Sequence, residues 1–154
     1  MGDIECCKKP FRRVIVGGTF DRLHAGHKEL LKVAAMLGDE LLVGITDGEM
    51  LKGKEEWEKI EPFSKRKGNV EEFLRSIEAN FVTCRITDPI GPAAYVDADA
   101  IVVSEETYSG AIAVNNARSF NGKNKLIIVV IPMVLSENGT PIRSSRIRKE
   151  QVKC

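Results

Sequence analysis

Apolar positions along this chain follow two rhythms that take turns. Short continuous runs, bounded by glycine, proline or charge, occur at Val14–Val16, 40–46 (ELLVGIT), 81–86 (FVTCRI), 100–104 (AIVVS) and 126–131 (LIIVVI), as expected of buried strands. Between them the spacing changes to that of helices. Leu30, Leu31, Ala34 and Leu37 mark one helix over 28–37, and Val70, Phe73, Leu74 and Ile77 mark a second that opens near Pro62. A third follows EETYSG, with Ala111, Ile112, Ala113, Val114, Ala117 and Phe120 as its apolar side. Gly38 and Asp39 predict a break after the first helix, DPIGP (88–92) a turn, and Ser144 or Ser145 the cap of a short basic terminal helix. Strands alternating with helices predict a single doubly wound α/β domain, its parallel sheet covered on both faces with right-handed crossovers. Residues 1–12, charged and aperiodic, form a lead-in, which leaves 13–154 as the domain.

The first strand and helix are joined by GGTFDRLHAGH (17–27), which puts Asp21, His24, Gly26 and His27 at the start of the helix. Backbone N–H groups there lack intrahelical partners and the dipole favours an anion, so a phosphate is the natural ligand. Taken singly, a histidine near a helix start is most often a cap or surface residue, and Gly-Gly is often a plain tight turn. Both histidines of the chain, however, lie in this one turn with a glycine between them. The charged stretch 47–61 reads as a solvated loop or short helix; Lys52 and Lys54 stand out because the loop leaves the carboxyl end of the second strand, where open α/β sheets bind ligands.

Composition narrows the classes. A chain of 154 residues with 43% hydrophobic and 29% charged residues is long enough for one core. Its 23 basic and 22 acidic side chains leave a net charge of +1, which argues against non-specific nucleic-acid binding. The start has no apolar h-region, and the longest apolar run, Leu126–Leu135, is too short for a bilayer and contains Pro132, so a cytoplasmic protein without a membrane partner is expected. Cys6, Cys7, Cys84 and Cys154 form no CxxC pair and no zinc-finger spacing, so free thiols are expected. The oligomeric state is left open, with a monomer as the expectation.

GTFDRLHAGH resembles the GTFDxxHxGH signature of the nucleotidyltransferase superfamily, whose HxGH element also occurs in class I aminoacyl-tRNA synthetases. GGTFDRLHAGHKELL together with VSEETYSG (103–110) resembles the phosphopantetheine adenylyltransferases of the archaeal and eukaryotic type. LLKVA, DPIGP, VNNAR (114–118) and IRSSRIR (142–148) extend the likeness over most of 13–149, the last two resembling the family's INRxR and ISSTxxR segments. The resemblance implies a Rossmann-like fold with strand order 3-2-1-4-5. In that order the crevice between strands 1 and 4 is the switch point where ligands bind, and the loops after both strands carry motifs.

The activity it implies is transfer of the adenylyl group of ATP to 4′-phosphopantetheine, giving 3′-dephospho-coenzyme A and pyrophosphate. Its attacking phosphate is already anionic, so positioning and charge stabilisation suffice. On this likeness His27 would donate to the α-phosphate, His24 would bind neighbouring phosphates and Gly26 would give them room. Thr19 and Lys52 would hold the acceptor phosphate, with Lys52 neutralising charge between the reacting groups. Arg118, Ser144, Ser145 and Arg148 would hold the β- and γ-phosphates, while Gly17, Gly18, Phe20, Ser104 and the backbone of 103–107 would approach the nucleoside. Asp21 would act from behind the site. Magnesium would bridge the phosphates, held mainly by ATP and water in the absence of a carboxylate cluster. Two departures from the family pattern, Asn116 for an arginine and Arg143 for a serine, suggest that a guanidinium has been exchanged between two phosphate-facing segments. The competing functions are a cytidylyltransferase or FMN adenylyltransferase of the same superfamily, disfavoured by VSEETY, and a nucleotide-binding regulatory module without turnover.

Overall fold

The expected alternation becomes five parallel strands in one sheet. The computed structural model describes residues 9–54, 56–88 and 90–132, and the terminal helix expected after Ser144 or Ser145 lies outside them. The strands are β1 (Phe11–Gly18), β2 (Gly38–Thr46), β3 (Phe81–Ile86), β4 (Ala100–Ser104) and β5 (Ile127–Ile131), in the order β3-β2-β1-β4-β5 that the resemblance implied. Three helices join them: α1 (Ala25–Leu37), α2 (Phe63–Ser76) and α3 (Tyr108–Phe120). None of the described helices is long and apolar enough to cross a membrane.

Side chains alternate cleanly across the sheet, as strand geometry requires. Val14, Val16, Leu41, Val43, Ile45, Ala100 and Val102 face α1 and α2, where Leu31, Ala34, Val70 and Leu74 complete the larger core. Ile15, Ile101 and Val103 face the other way and pack with Ala111 and Val114 of α3. The helices after β1 and β4 thus lie on opposite faces, and a crevice opens between the two strand ends.

Two boundaries need correction. The first strand extends beyond the apolar run Val14–Val16 and begins at Phe11, inside the stretch read as lead-in, because Phe11 already pairs with Gly38 and packs on the core. No loop separates α1 from β2: Gly38 is at once the cap of the helix and the first strand residue, with extended backbone. Its requirement is space, since a Cβ there would lie 2.6 Å from Val14 Cγ2. As expected, the second face is also covered, by α3, which leaves the edge strand β3 more open. Among the described residues the connection from β3 to β4 holds only a short 3-10 turn (Gly91–Ala94); Val82 is half exposed and Cys84 is an exposed free thiol.

Gly38→Ala should therefore destabilise the fold by roughly 1–3 kcal/mol through overpacking against β1. Gly53→Ala, where a Cβ meets nothing within 4 Å, should be nearly silent. Urea midpoints of the two variants check this; equal midpoints would show that β1 yields freely at Val14.

Candidate active site

The turn after β1 is held in an uncommon shape. Phe20 (φ 53°) and Arg22 (φ 49°) both adopt left-handed backbone, which costs a bulky residue on the order of 1–2 kcal/mol. Burial and hydrogen bonds offset that cost. The Phe20 ring is 1% exposed in the larger core and meets His27 edge to face at 5.4 Å. Asp21, fully buried, accepts from the Glu61 N–H at 2.9 Å and pairs with Arg22 at 2.8 Å, while Glu61 accepts in turn from the Arg22 N–H at 2.8 Å. Asp21 thus ties the turn to the loop that enters α2, and it also lines the cavity described below.

His24 and His27 cap α1 reciprocally. His24 Nδ1 accepts from the Gly26 N–H at 3.1 Å, and His27 Nδ1 accepts from the His24 N–H at 3.3 Å. The two rings stack at 3.8 Å. A nitrogen that accepts carries no proton, so each neutral ring bears its hydrogen on Nε2. Burial lowers the pKa of both, against the pull of Asp21; His27, which also has His24 beside it, falls to about 3. Near neutrality the pair is therefore uncharged and offers two N–H donors.

Both rings line a cavity of about 550 Å3 at the carboxyl ends of the strands. Gly17, Gly18, Thr19 and Phe20 from the first turn, and Ser104 after β4, line the same cavity. Thr19 Oγ1 lies 2.8 Å from Thr46 Oγ1 at the ends of β1 and β2. Ser104 is set by its loop, its N–H donating to Thr107 Oγ1 at 3.1 Å. The convergence of the loops after β1 and β4 on one crevice is as expected.

Other anticipated residues sit elsewhere. Gly26 does not line the cavity, and its N–H is spent on His24. Lys52 also stands outside the wall, 3.0 Å from Glu49 and 5.8 Å from the Trp57 ring, whereas Met50 and Lys54 of the same loop line the cavity. Arg118 is the clearest correction. It is fully buried, and its guanidinium donates to the carbonyls of Asn124 (2.7 Å), Ala93 and Val96 (both 2.8 Å) and to Asn124 Oδ1 (3.3 Å). With its donors committed to the frame it holds loops, not phosphates. Asn116 is exposed on α3 and absent from the cavity wall, which removes one end of the supposed exchange with Arg143. Arg143, Ser144, Ser145 and Arg148 lie outside the described residues.

Arg66 went unnoticed in the sequence. It is 1% exposed and donates to the carbonyls of Thr19 (3.0 Å), Thr46 (2.7 Å) and Glu61 (2.8 Å), with Asp47 Oδ1 at 3.3 Å. One side chain thus joins the ends of β1 and β2 to the loop that holds Asp21. The signal was its place four residues before Val70 on the apolar stripe of α2, where a charge has to find buried partners.

A family model described as cytidylyltransferase-like matches residues 15–150. A phosphopantetheine adenylyltransferase of Pyrococcus furiosus is 46% identical over 143 residues, 92% of this chain and 89% of its own length. That of Methanothermobacter thermautotrophicus is 41% identical over 146 residues, 94% and 88% of the two chains. Among solved structures, an Archaeoglobus fulgidus protein described as of unknown function superposes with a TM-score of 0.70 at 35% identity, covering 79% of this chain and 99% of that one.

The neutral pair has a consequence for pH. Because His27 titrates near 3 when folded and near 6.5 otherwise, the unfolded chain binds the extra proton between those values. Its contribution to stability is complete above about pH 6.5 and is lost as pH falls toward 3, at up to roughly 1.4 kcal/mol per pH unit. His27→Gln keeps an acceptor at the cap but cannot titrate in this range. The stability gap between the two proteins should narrow from pH 7 to pH 4; a constant gap would show that His27 titrates normally. Arg118→Met should lower stability by roughly 2–4 kcal/mol through the orphaned carbonyls, yet leave the ATP Kd of the folded protein within about threefold. A tenfold weaker Kd at unchanged stability would return Arg118 to the phosphates.

Proposed function

The chain belongs to the cytidylyltransferase-like family, among its phosphopantetheine adenylyltransferases, and from this we infer that it transfers the adenylyl group of ATP to 4′-phosphopantetheine. The products are 3′-dephospho-coenzyme A and pyrophosphate. The observation that carries the reading is the stacked, neutral histidine pair presenting Nε2–H donors to a cavity at the crevice between β1 and β4.

The acceptor phosphate attacks the α-phosphorus, and the bond from that phosphorus to the bridging oxygen of pyrophosphate breaks. An imidazole held near pKa 3 has little tendency to take a proton at neutrality, and none need be taken, because the nucleophile is an oxyanion. His27 serves instead as a fixed donor to the equatorial oxygens as their charge grows, with His24 beside it. Thr19, with Thr46 hydrogen-bonded beside it on the same cavity wall, receives the acceptor phosphate. Lys54 already faces the cavity, and Lys52 reaches it by leaving Glu49, an exposed i,i+3 pair worth little. The cavity wall carries imidazoles, hydroxyls, an ammonium and the carboxylates of Asp21 and Glu106, and among the described residues no cluster of three or more His, Cys, Asp or Glu side chains could hold a metal. This donor set suits magnesium carried by the ATP phosphates and water, where it would neutralise phosphate charge.

Offering ATP or CTP with 4′-phosphopantetheine, glycerol phosphate or FMN and following pyrophosphate tests the assignment. Release with ATP and 4′-phosphopantetheine alone is expected. Release only with CTP, or only with FMN, would move the chain to a sister activity, and ATP binding without release would make it a regulatory module. His27→Ala should lower kcat by roughly 100- to 1000-fold with a smaller change in ATP affinity. A kcat within a few-fold of the wild type, with only KM moved, would make His27 a ground-state binder.

A further inference from the structure

On the side away from β4 the cavity wall includes an isoleucine placed in an unusual way. Ile86, the last residue of β3, belongs to neither apolar core, yet it lines the cavity. Room for it is made by glycines on three segments. A Cβ on Gly44 would fall 2.0 Å from Ile86 Cδ1, and one on Gly17, the register partner of Gly44, would lie 4.0 Å from the same atom. On the third side Gly91, at φ +59°, would bring a Cβ to 3.1 Å from Ile86 Cγ2. The side chain therefore extends across β2 toward β1, over two positions that carry no side chain. Its backbone is fixed as well, the Ile86 carbonyl accepting from the Asp47 N–H at 2.9 Å.

Three glycines that clear space for an aliphatic group outside the core leave that group displayed to whatever fills the cavity. Resting on the adenylyl-transfer reading, sheet order divides the cavity between the two substrates. Ser104, Thr107 and Gly110 lie on the β4 side, where the switch point places the nucleotide, so Thr46, Ile86 and Ile90 on the β2–β3 side are left for the acceptor. In 4′-phosphopantetheine the phosphate is carried on a CH2 next to a quaternary carbon bearing two methyl groups. At the corresponding carbons glycerol phosphate and the ribityl chain of FMN carry hydroxyls. An apolar surface near the acceptor phosphate favours the first and leaves the hydroxyls of the others without partners. We propose that Ile86 determines acceptor specificity by packing against these two methyl groups.

The test pairs a change in the enzyme with a change in the substrate. Wild type, Ile86→Ala and the milder Ile86→Val are assayed with ATP and either 4′-phosphopantetheine or its analogue lacking both methyl groups, and melting temperatures are recorded. Turnover of 4′-phosphopantetheine by the wild type comes first; its absence would reject the activity itself and not the role of Ile86. Ile86→Ala should raise the acceptor KM roughly 10- to 100-fold, with the ATP KM within about threefold and melting little changed. Ile86→Val should fall between. In the wild type the analogue should suffer a comparable loss, and in Ile86→Ala it should lose little more, since the missing partner makes the methyl groups irrelevant. If the two losses simply multiply in either variant, or if the ATP KM rises as much as the acceptor KM, Ile86 does not read the methyl groups and the proposal is refuted.

Discussion

The structure depends on one buried guanidinium. The carboxyl end of a parallel sheet has to leave its crevice open for ligands, yet the strands ending there present carbonyls that need donors. Arg66 reconciles the two by reaching from α2 to the carbonyls of Thr19, Thr46 and Glu61 from the side away from the cavity. A charge this deep is tolerated because Asp47, Asp21 and Glu61 stand near enough to favour it. Fixing Thr19 and Thr46 at the carbonyl also sets their hydroxyls 2.8 Å apart on the cavity side.

From that frame the chemistry of the turn follows. Asp21 and Glu61 hold left-handed backbone at Phe20 and Arg22, and Phe20 seals the turn against the core and against His27. The burial that results keeps His27 neutral. A cationic pair would attract phosphate more strongly in the ground state as well as the transition state. Neutral donors held rigid by a helix cap bind the substrate less and spend more of their effect on the charge that develops.

Arg118 repeats the logic of Arg66 on the opposite face, tying Ala93, Val96 and Asn124 beneath α3. Both arginines occupy helix positions whose neighbours at i+4 or i−4 are buried valines, Val70 and Val114. That spacing sets both guanidinium-bearing side chains on the buried sides of their helices. The family likeness drew Arg118 toward phosphate because a motif match carries residue type and order but not the direction of a side chain. Lys52 stands off the cavity wall for a related reason: its local partner Glu49 takes the ammonium that the likeness assigned to ligand.

By itself the sequence determined what depends on local spacing: five apolar runs, three helices, and two histidines in the turn after β1, since strand and helix periods and capping chemistry act within a few residues. The order of the strands came from likeness to known chains, and the sheet has that same order. Only the tertiary structure decided which groups face the cavity. The left-handed turn, the neutral imidazoles, the carbonyls captured by Arg66 and Arg118, and the space that Gly17, Gly44 and Gly91 leave for Ile86 all arise between segments distant in the chain. Burial and close approach have no period, so nothing in a linear pattern records them.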